Sequence, residues 1–252
     1  MLLLHGAGRS LVDWTGVADL LRTHHRVVAF DLRGHGGSST CSTWDWHVAL
    51  DDVQAVVDRH RLQRPAVVGH SLGGMVAAMW GRHHPEAAAV VNLDGHGPGR
   101  PELVDGLPPH TAAEQARQYR ALAEAAMASA APPLGALLRD VLRAATEVDL
   151  LAVYRACRTR LLVLNATASG VDVPDPPDWL ASYLSAYRRG LSRALRSVAS
   201  STPGVVAVDL PLTHMCIVEQ PHAIAQLLRD FLQVRAAPGH RPHTVHQDKA
   251  EQ

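Results

Sequence analysis

The sequence predicts an α/β fold, a mostly parallel, doubly wound sheet with helices on both faces. Two observations carry that expectation. Short continuous apolar runs alternate with amphipathic stretches along the 252 residues, and a glycine-bracketed serine stands where one run gives way to a helix. A strand buried on both faces loses its apolar–polar alternation and becomes an unbroken Val/Leu run. A chain of this length fits one large domain with a full core.

The elements follow in order. The first strand-like run, Leu2–Leu4, exits into His5-Gly6-Ala7-Gly8, and a helical pattern covers 17–23. A second run at 27–30 ends on Asp31-Leu-Arg-Gly-His-Gly-Gly-Ser38, and a helix is expected at 47–60. The run at 66–68 leads through the serine turn to a helix at 72–83, and Ala89–Leu93 follows, broken near its end by Asn92. From 95 to 157 the rhythm changes to Ala-rich helices punctuated by Pro98, Pro101, Pro108-Pro109 and Pro132-Pro133, with no strand. Strand-like runs return at 161–164 and Val205–Leu210, the last broken by Asp209, with helices at 180–197 and 222–234. The expected division is a core of 1–94 and 158–234, a helical cap of 95–157, and a polar, aperiodic and hence disordered tail of 235–252. No internal repeat is present.

Composition narrows the function. Charge is balanced, 24 basic against 24 acidic residues, so neither nucleic acid nor an anionic membrane surface is an expected partner. Cys41, Cys157 and Cys216 are too few and too spread for a disulfide framework or a paired-cysteine metal site, and a reducing cytoplasm is the expected setting. The opening apolar run is too short for a signal peptide, and no run has membrane-spanning length. Without such a signal, the sequon Asn165-Ala166-Thr167 is expected to be incidental. The adjacent pairs His24-His25 and His83-His84 cannot share a helix face, so neither suggests a metal.

The chemistry concentrates at Gly69-His70-Ser71-Leu72-Gly73, a G-x-S-x-G between a strand and a helix. A serine at the tip of so sharp a turn needs glycines on either side, since side chains there would collide. The turn exposes the hydroxyl and aims the Leu72 N–H where an oxyanion would form; the glycine-rich exit of the first strand offers the Ala7 N–H as a second donor. Gly6-x-Gly8 with Asp31 also has the outline of a dinucleotide site, but Leu11 occupies the third glycine position, where a helix must approach closely. A general base is expected late in the chain, and His214 lies just beyond the last strand, ahead of the final helix. Cys216, close by, is expected to pack rather than react.

Four segments together resemble the α/β-hydrolase superfamily over about 1–234: Leu-Leu-Leu-His5-Gly6, the Asp31–Ser38 turn, Gly69–Gly73, and Leu212-Thr-His214 with Glu219-Gln-Pro221 behind it. The resemblance implies Ser71 as nucleophile, His214 as general base and acid, and Ala7 with Leu72 as oxyanion donors. It also implies that Arg33 and His35 are structural. Members of that superfamily usually have one or two further strands before the Leu-His-Gly strand, so the sheet is expected to be shortened at its N-terminal side. Their acid usually follows the penultimate strand, three residues past a glycine, but those positions here are Asn165 and Ala168, and alanine cannot orient an imidazole. Asp94, at the exit of the strand before the cap, is favoured, because a strand end fixes a carboxylate better than a loop. Asp172 is the alternative, with Asp175 and Asp178 further along the same proline-rich loop. The expected activity is a serine hydrolase cutting a small-molecule ester or thioester, without cofactor or metal. A lyase or cyclase on the same scaffold, or a silent binding member of it, stays open. Trp44 and Trp46 are candidates for the pocket wall, although aromatics near a helix start usually belong to the core.

Overall fold

The computed structural model describes residues 1–41, 43–97, 99–168 and 175–233. The expected tail, 235–252, and the candidate acid Asp172 lie outside the described residues. Among the described residues six strands form one parallel sheet: β1 (Leu2–Leu4), β2 (Val28–Phe30), β3 (Ala66–His70), β4 (Ala89–Leu93), β5 (Leu161–Ala166) and β6 (Val205–Leu210), in the order β2-β1-β3-β4-β5-β6. The expected order of runs is retained, with small extensions. β3 continues past residue 68 through Gly69 to His70, because its pairing with β4 runs on to His70↔Leu93. β5 likewise reaches Ala166, held by β6 through the Ala166↔Leu210 pair.

Continuous apolar strands let each successive residue bury a side chain on alternate faces. Leu2 and Leu4 of β1 face one core, with Val67, Val90, Leu161 and Val163; Leu3 faces the other, with Val68, Val91, Leu162 and Leu164. The first core is covered by α2 (Trp46–Arg59), α3 (Leu72–His83), α6 (Leu150–Ala156) and α7 (Asp178–Ser201). The second is covered by α1 (Thr15–Leu21), α8 (Cys216–Glu219) and α9 (Pro221–Gln233). Between β4 and β5 the chain makes α4 (Pro109–Ala128), α5 (Leu134–Glu147) and α6, with no strand among the described residues. No described helix is long and apolar enough to cross a membrane.

The strand order dictates where a site can form. From β1 the chain moves outward to β2, then returns across to β3 on the opposite side of β1. The connections therefore diverge above the carboxyl ends of β1 and β3, leaving a crevice there. Gly6 and Ala7 leave β1 at that crevice, and Ser71 leaves β3 at it.

Candidate active site

At the end of β3 the chain reverses at Ser71, whose φ of 53° and ψ of −121° put a non-glycine residue at positive φ. Such a conformation survives only where the surroundings over-determine it. A Cβ on Gly69 would lie 1.9 Å from the Gly73 carbonyl oxygen, and one on Gly73 only 2.4 Å from that of Leu4. Both positions need glycine. The Ser71 amide donates to the Leu93 carbonyl at 2.9 Å, and the Gly73 amide to the His5 carbonyl at 3.1 Å, tying the turn to β4 and β1. Ala7 and Leu72 line the same cavity as Ser71. Leu72 opens α3, so its N–H has no intrahelical partner. Among the described residues neither the Ala7 nor the Leu72 amide donates to a backbone carbonyl outside the regular elements.

His214, in the loop between β6 and α8, meets this turn from the far side. Its Nδ1 lies 2.7 Å from Asp94 Oδ2 and its Nε2 3.1 Å from Ser71 Oγ. A carboxylate only accepts, so Nδ1–H donates to Asp94 and Nε2 accepts from the serine hydroxyl. Ser71, His214 and Asp94 are thus brought together in one hydrogen-bonded line. Asp175 and Asp178 do not line the cavity; Ala168 does.

Asp94 stands at a second strained strand exit, with φ of 54°. Asn92, the polar break in β4, folds the chain there: its side chain donates to the Gly95 carbonyl and accepts from the Gly95 amide, both at 2.8 Å. A Cβ on Gly95 would lie 2.1 Å from the Ser71 carbonyl oxygen, so the residue after Asp94 must be glycine. The carboxylate is fully buried and saturated. Oδ1 accepts from the Ala166 amide at 3.0 Å, and Arg188 of α7 forks across both oxygens, with Nη2 2.9 Å from Oδ2. Burial alone would raise the Asp94 carboxyl. The His214 hydrogen bond and the Arg188 charge outweigh it and hold the carboxyl well below the ordinary carboxylate range.

Two further histidines complete the surroundings. Burial, with His214 adjacent, lowers His70 to about 4; its neutral ring lies with Nε2 2.6 Å from the His214 carbonyl, which anchors the loop carrying that residue. Burial likewise lowers His96 to about 4, with Nε2 2.9 Å from the Leu164 carbonyl. Cys216 is fully buried and its thiol is pushed up to about 12, so it packs rather than reacts. Arg33 pairs with Asp52 of α2, and the Nδ1 of buried His35 lies 3.0 Å from the Arg33 carbonyl; neither lines the cavity. Trp44 and Trp46 pack edge to face away from the cavity, with the Trp46 indole donating to Ala144. Among the described residues no cluster of His, Cys, Asp and Glu could hold a metal ion.

The cavity encloses about 270 Å³. Its polar floor is Ser71, His214, Asp94, His96 and Arg188; its walls are apolar, with Ala123 and Met127 from α4, Leu142 from α5 and Leu184 from α7. Arg188, Asn92 and His70 were not singled out as site residues from sequence. Asn92 left a signal, a polar residue inside an apolar strand. Arg188 left none, because nothing relates the middle of a long helix to a distant turn.

Comparisons with known proteins bear on the family and the fold. A family model for the alpha/beta hydrolase fold matches residues 1–200. The human protein ABHD8 is 30% identical over 103 residues, covering 39% of this chain and 24% of that protein. A serine hydrolase-like protein of Danio rerio is 36% identical over 103 residues, covering 38% of this chain and 31% of its own length. The matched stretch thus spans about a quarter to a third of these relatives. The crystal structure of E-2-(acetamidomethylene)succinate hydrolase superposes with a TM-score of 0.64 at 19% identity, over 92% of this chain and 90% of that one. At that identity the likeness is one of fold.

Proposed function

The chain belongs to the alpha/beta hydrolase fold family, and on that premise we propose that it is a serine hydrolase cleaving a small, uncharged carboxylic ester or thioester. The observation that carries this reading is the continuous line from Asp94 Oδ2 through His214 to Ser71 Oγ, at 2.7 and 3.1 Å. Ser71 Oγ attacks the carbonyl carbon as His214 Nε2 takes its proton. The N–H groups of Ala7 and Leu72 receive the oxyanion. On collapse the bond to the leaving group breaks, and the imidazolium protonates the departing alcohol or thiol. Water then attacks the acyl-enzyme, gives its proton to His214, and releases the carboxylic acid with Ser71 restored.

The substrate class follows from the cavity. Its volume lies at the low end for ligand pockets, which favours a short acyl group. Its fixed charges, Asp94 and Arg188, are spent on each other, which favours an uncharged one. The 95–157 segment acts in this reading as the cap that selects substrate, with α7 sharing the wall. A reducing, cytoplasmic setting suits its three free cysteines.

A fluorophosphonate probe followed by a panel of short-chain esters and thioesters tests the reading. Stoichiometric labelling of Ser71 and turnover of short acyl esters are expected. A folded protein that neither labels nor turns over would place the chain among silent binding members of the fold. Labelling without turnover of any ester or thioester would point to lyase chemistry.

A further inference from the structure

We propose that Arg188 is a positioning residue that cancels the charge of Asp94 while holding it rigid, so that Asp94 orients His214 without trapping a proton on it. This rests on the reading of Ser71, His214 and Asp94 as the reacting set. A fully buried carboxylate beside an imidazole faces a conflict. Left bare, it demands a positive partner, and the nearest group able to supply one is the imidazole itself. A resting imidazolium cannot accept the serine proton. Arg188 removes the demand by placing a permanent cation across both Asp94 oxygens.

Other groups around Asp94 cannot do this. His96, on the loop after β4, is neutral above about pH 4. Tyr119 of α4, Tyr154 of α6 and Tyr187 of α7 are pushed up by burial, as is Cys216 of α8, and so stay uncharged. His70, its ring tilted against that of His214 with centroids 4.8 Å apart, is neutral above about pH 4 as well. Above about pH 5, then, only Arg188 and His214 among the described residues around Asp94 can answer its charge. The guanidinium is also anchored independently of Asp94. Nη1 donates to Asn165 Oδ1 at 3.2 Å, and the Asn165 amide donates to Asp209 at 2.9 Å and to the Arg188 carbonyl at 3.3 Å. Asn165 occupies the position where the superfamily usually has a glycine just ahead of its acid, and here it braces the cation that serves the acid instead.

The test is the pH dependence of Ser71 labelling by a fluorophosphonate, in which the Oγ–P bond forms, fluoride leaves and His214 takes the proton. Wild type, Arg188→Gln and Arg188→Lys are compared from pH 5 to 9.5. In Arg188→Gln the bare carboxylate stabilises the imidazolium, so the acid limb should move up by about one pH unit or more, the usual effect of an unshielded neighbouring charge. Labelling below the limb should fall about tenfold. Arg188→Lys keeps the charge and should hold the limb near its wild-type position. A uniform loss in Arg188→Gln with an unmoved limb would reduce Arg188 to a structural role and overturn the inference alone. Wild type that fails to label at any pH would overturn the underlying reading and this inference with it. Should Arg188→Gln not fold, the double variant Asp94→Asn/Arg188→Gln, with no buried charge left, should regain a cooperative melt; a double variant no more stable than the single one refutes charge cancellation.

Discussion

The floor and the walls of the cavity are built on different physics. On the floor, Ser71 and Asp94 sit one residue past adjacent strands with nearly the same strained φ, 53° and 54°. Each is held by glycines whose Cβ would strike backbone at 2.4 Å or less. Backbone cannot move aside as a side chain can, so these positions admit almost no alternatives. The walls, from α4, α5 and α7, are mainly Ala, Leu and Met side chains in ordinary helices, with Tyr119 and Tyr187 among them, and apolar surfaces of this kind accept many substitutions of similar volume. Chemistry is therefore fixed where backbone crowds backbone, and selectivity is left where side chains touch side chains.

The largest effects should come from the floor. Ser71→Ala should cost on the order of 10⁶ in kcat with the fold retained, and His214→Ala nearly as much, with the double variant little worse than either. Steady-state kinetics with any ester the enzyme accepts checks this; additive losses would mean that the two side chains act in separate steps. Asp94→Asn should cost about 10⁴ in kcat, because an amide in place of the carboxylate favours the wrong imidazole tautomer. Asp172→Asn, Asp175→Asn and Asp178→Asn should change kcat little. The reverse pattern would take the acid away from the strand end.

Glycine substitutions on the floor should fail by stability instead. Gly95→Val forces a branched side chain into the space 2.1 Å from the Ser71 carbonyl. The melting temperature should fall together with activity, whereas a comparable enlargement of the wall should leave the melt nearly unchanged. An unaltered melt for Gly95→Val would deny the close approach of the two strand exits.

Acid should also reach the floor first. His70 and His96 are held to about 4 against an ordinary 6.5, so their protonation favours the unfolded chain. Their contribution is complete above about pH 6.5 and is lost as pH falls toward 4. Each can steepen the decline by up to about 1.4 kcal/mol per pH unit in that window. Asp94, held low, adds its own loss only at more acid pH. Denaturant melts from pH 7.5 to 4.5 should show this decline, and His96→Asn should flatten it. A pH-independent midpoint would mean that these rings take up protons in the folded protein.

The same division explains what the sequence made legible. The G-x-S-x-G turn, the Leu-His-Gly exit and His214 after the last strand are local patterns imposed by backbone geometry, and they point directly to the sheet, the tight turn at Ser71 and the loop that carries His214. Asp94 was legible by a weaker route, a carboxylate at a strand exit followed by glycine. Arg188 was not legible, since its partner lies 94 residues away and guanidinium–carboxylate pairing has no spacing rule. The share of α7 in the wall was missed for a similar reason: helix 180–197 had the period of a sheet-covering helix, and nothing in that period says that its first turns overhang the strand ends.

The smallest effects belong to the wall. Ala123 and Met127 lie one turn apart on the cavity face of α4, across from Leu184 of α7. Ala123→Leu should fill space that the longest accepted acyl chain occupies, and Met127→Ala should open it. Each methylene gained or lost in an apolar pocket is worth about 1–3 kcal/mol of discrimination. Ala123→Leu should thus shift the ratio of kcat/KM toward acetyl over butanoyl esters by about tenfold, and Met127→Ala the other way by a similar factor. The acid limb and the melting temperature should hold in both variants, since neither residue takes part in the hydrogen bonds of Asp94 and His214. If chain-length preference stays put while the overall rate falls, the acyl group does not lie along α4, and the wall that selects it must be sought on α5 or α7 instead.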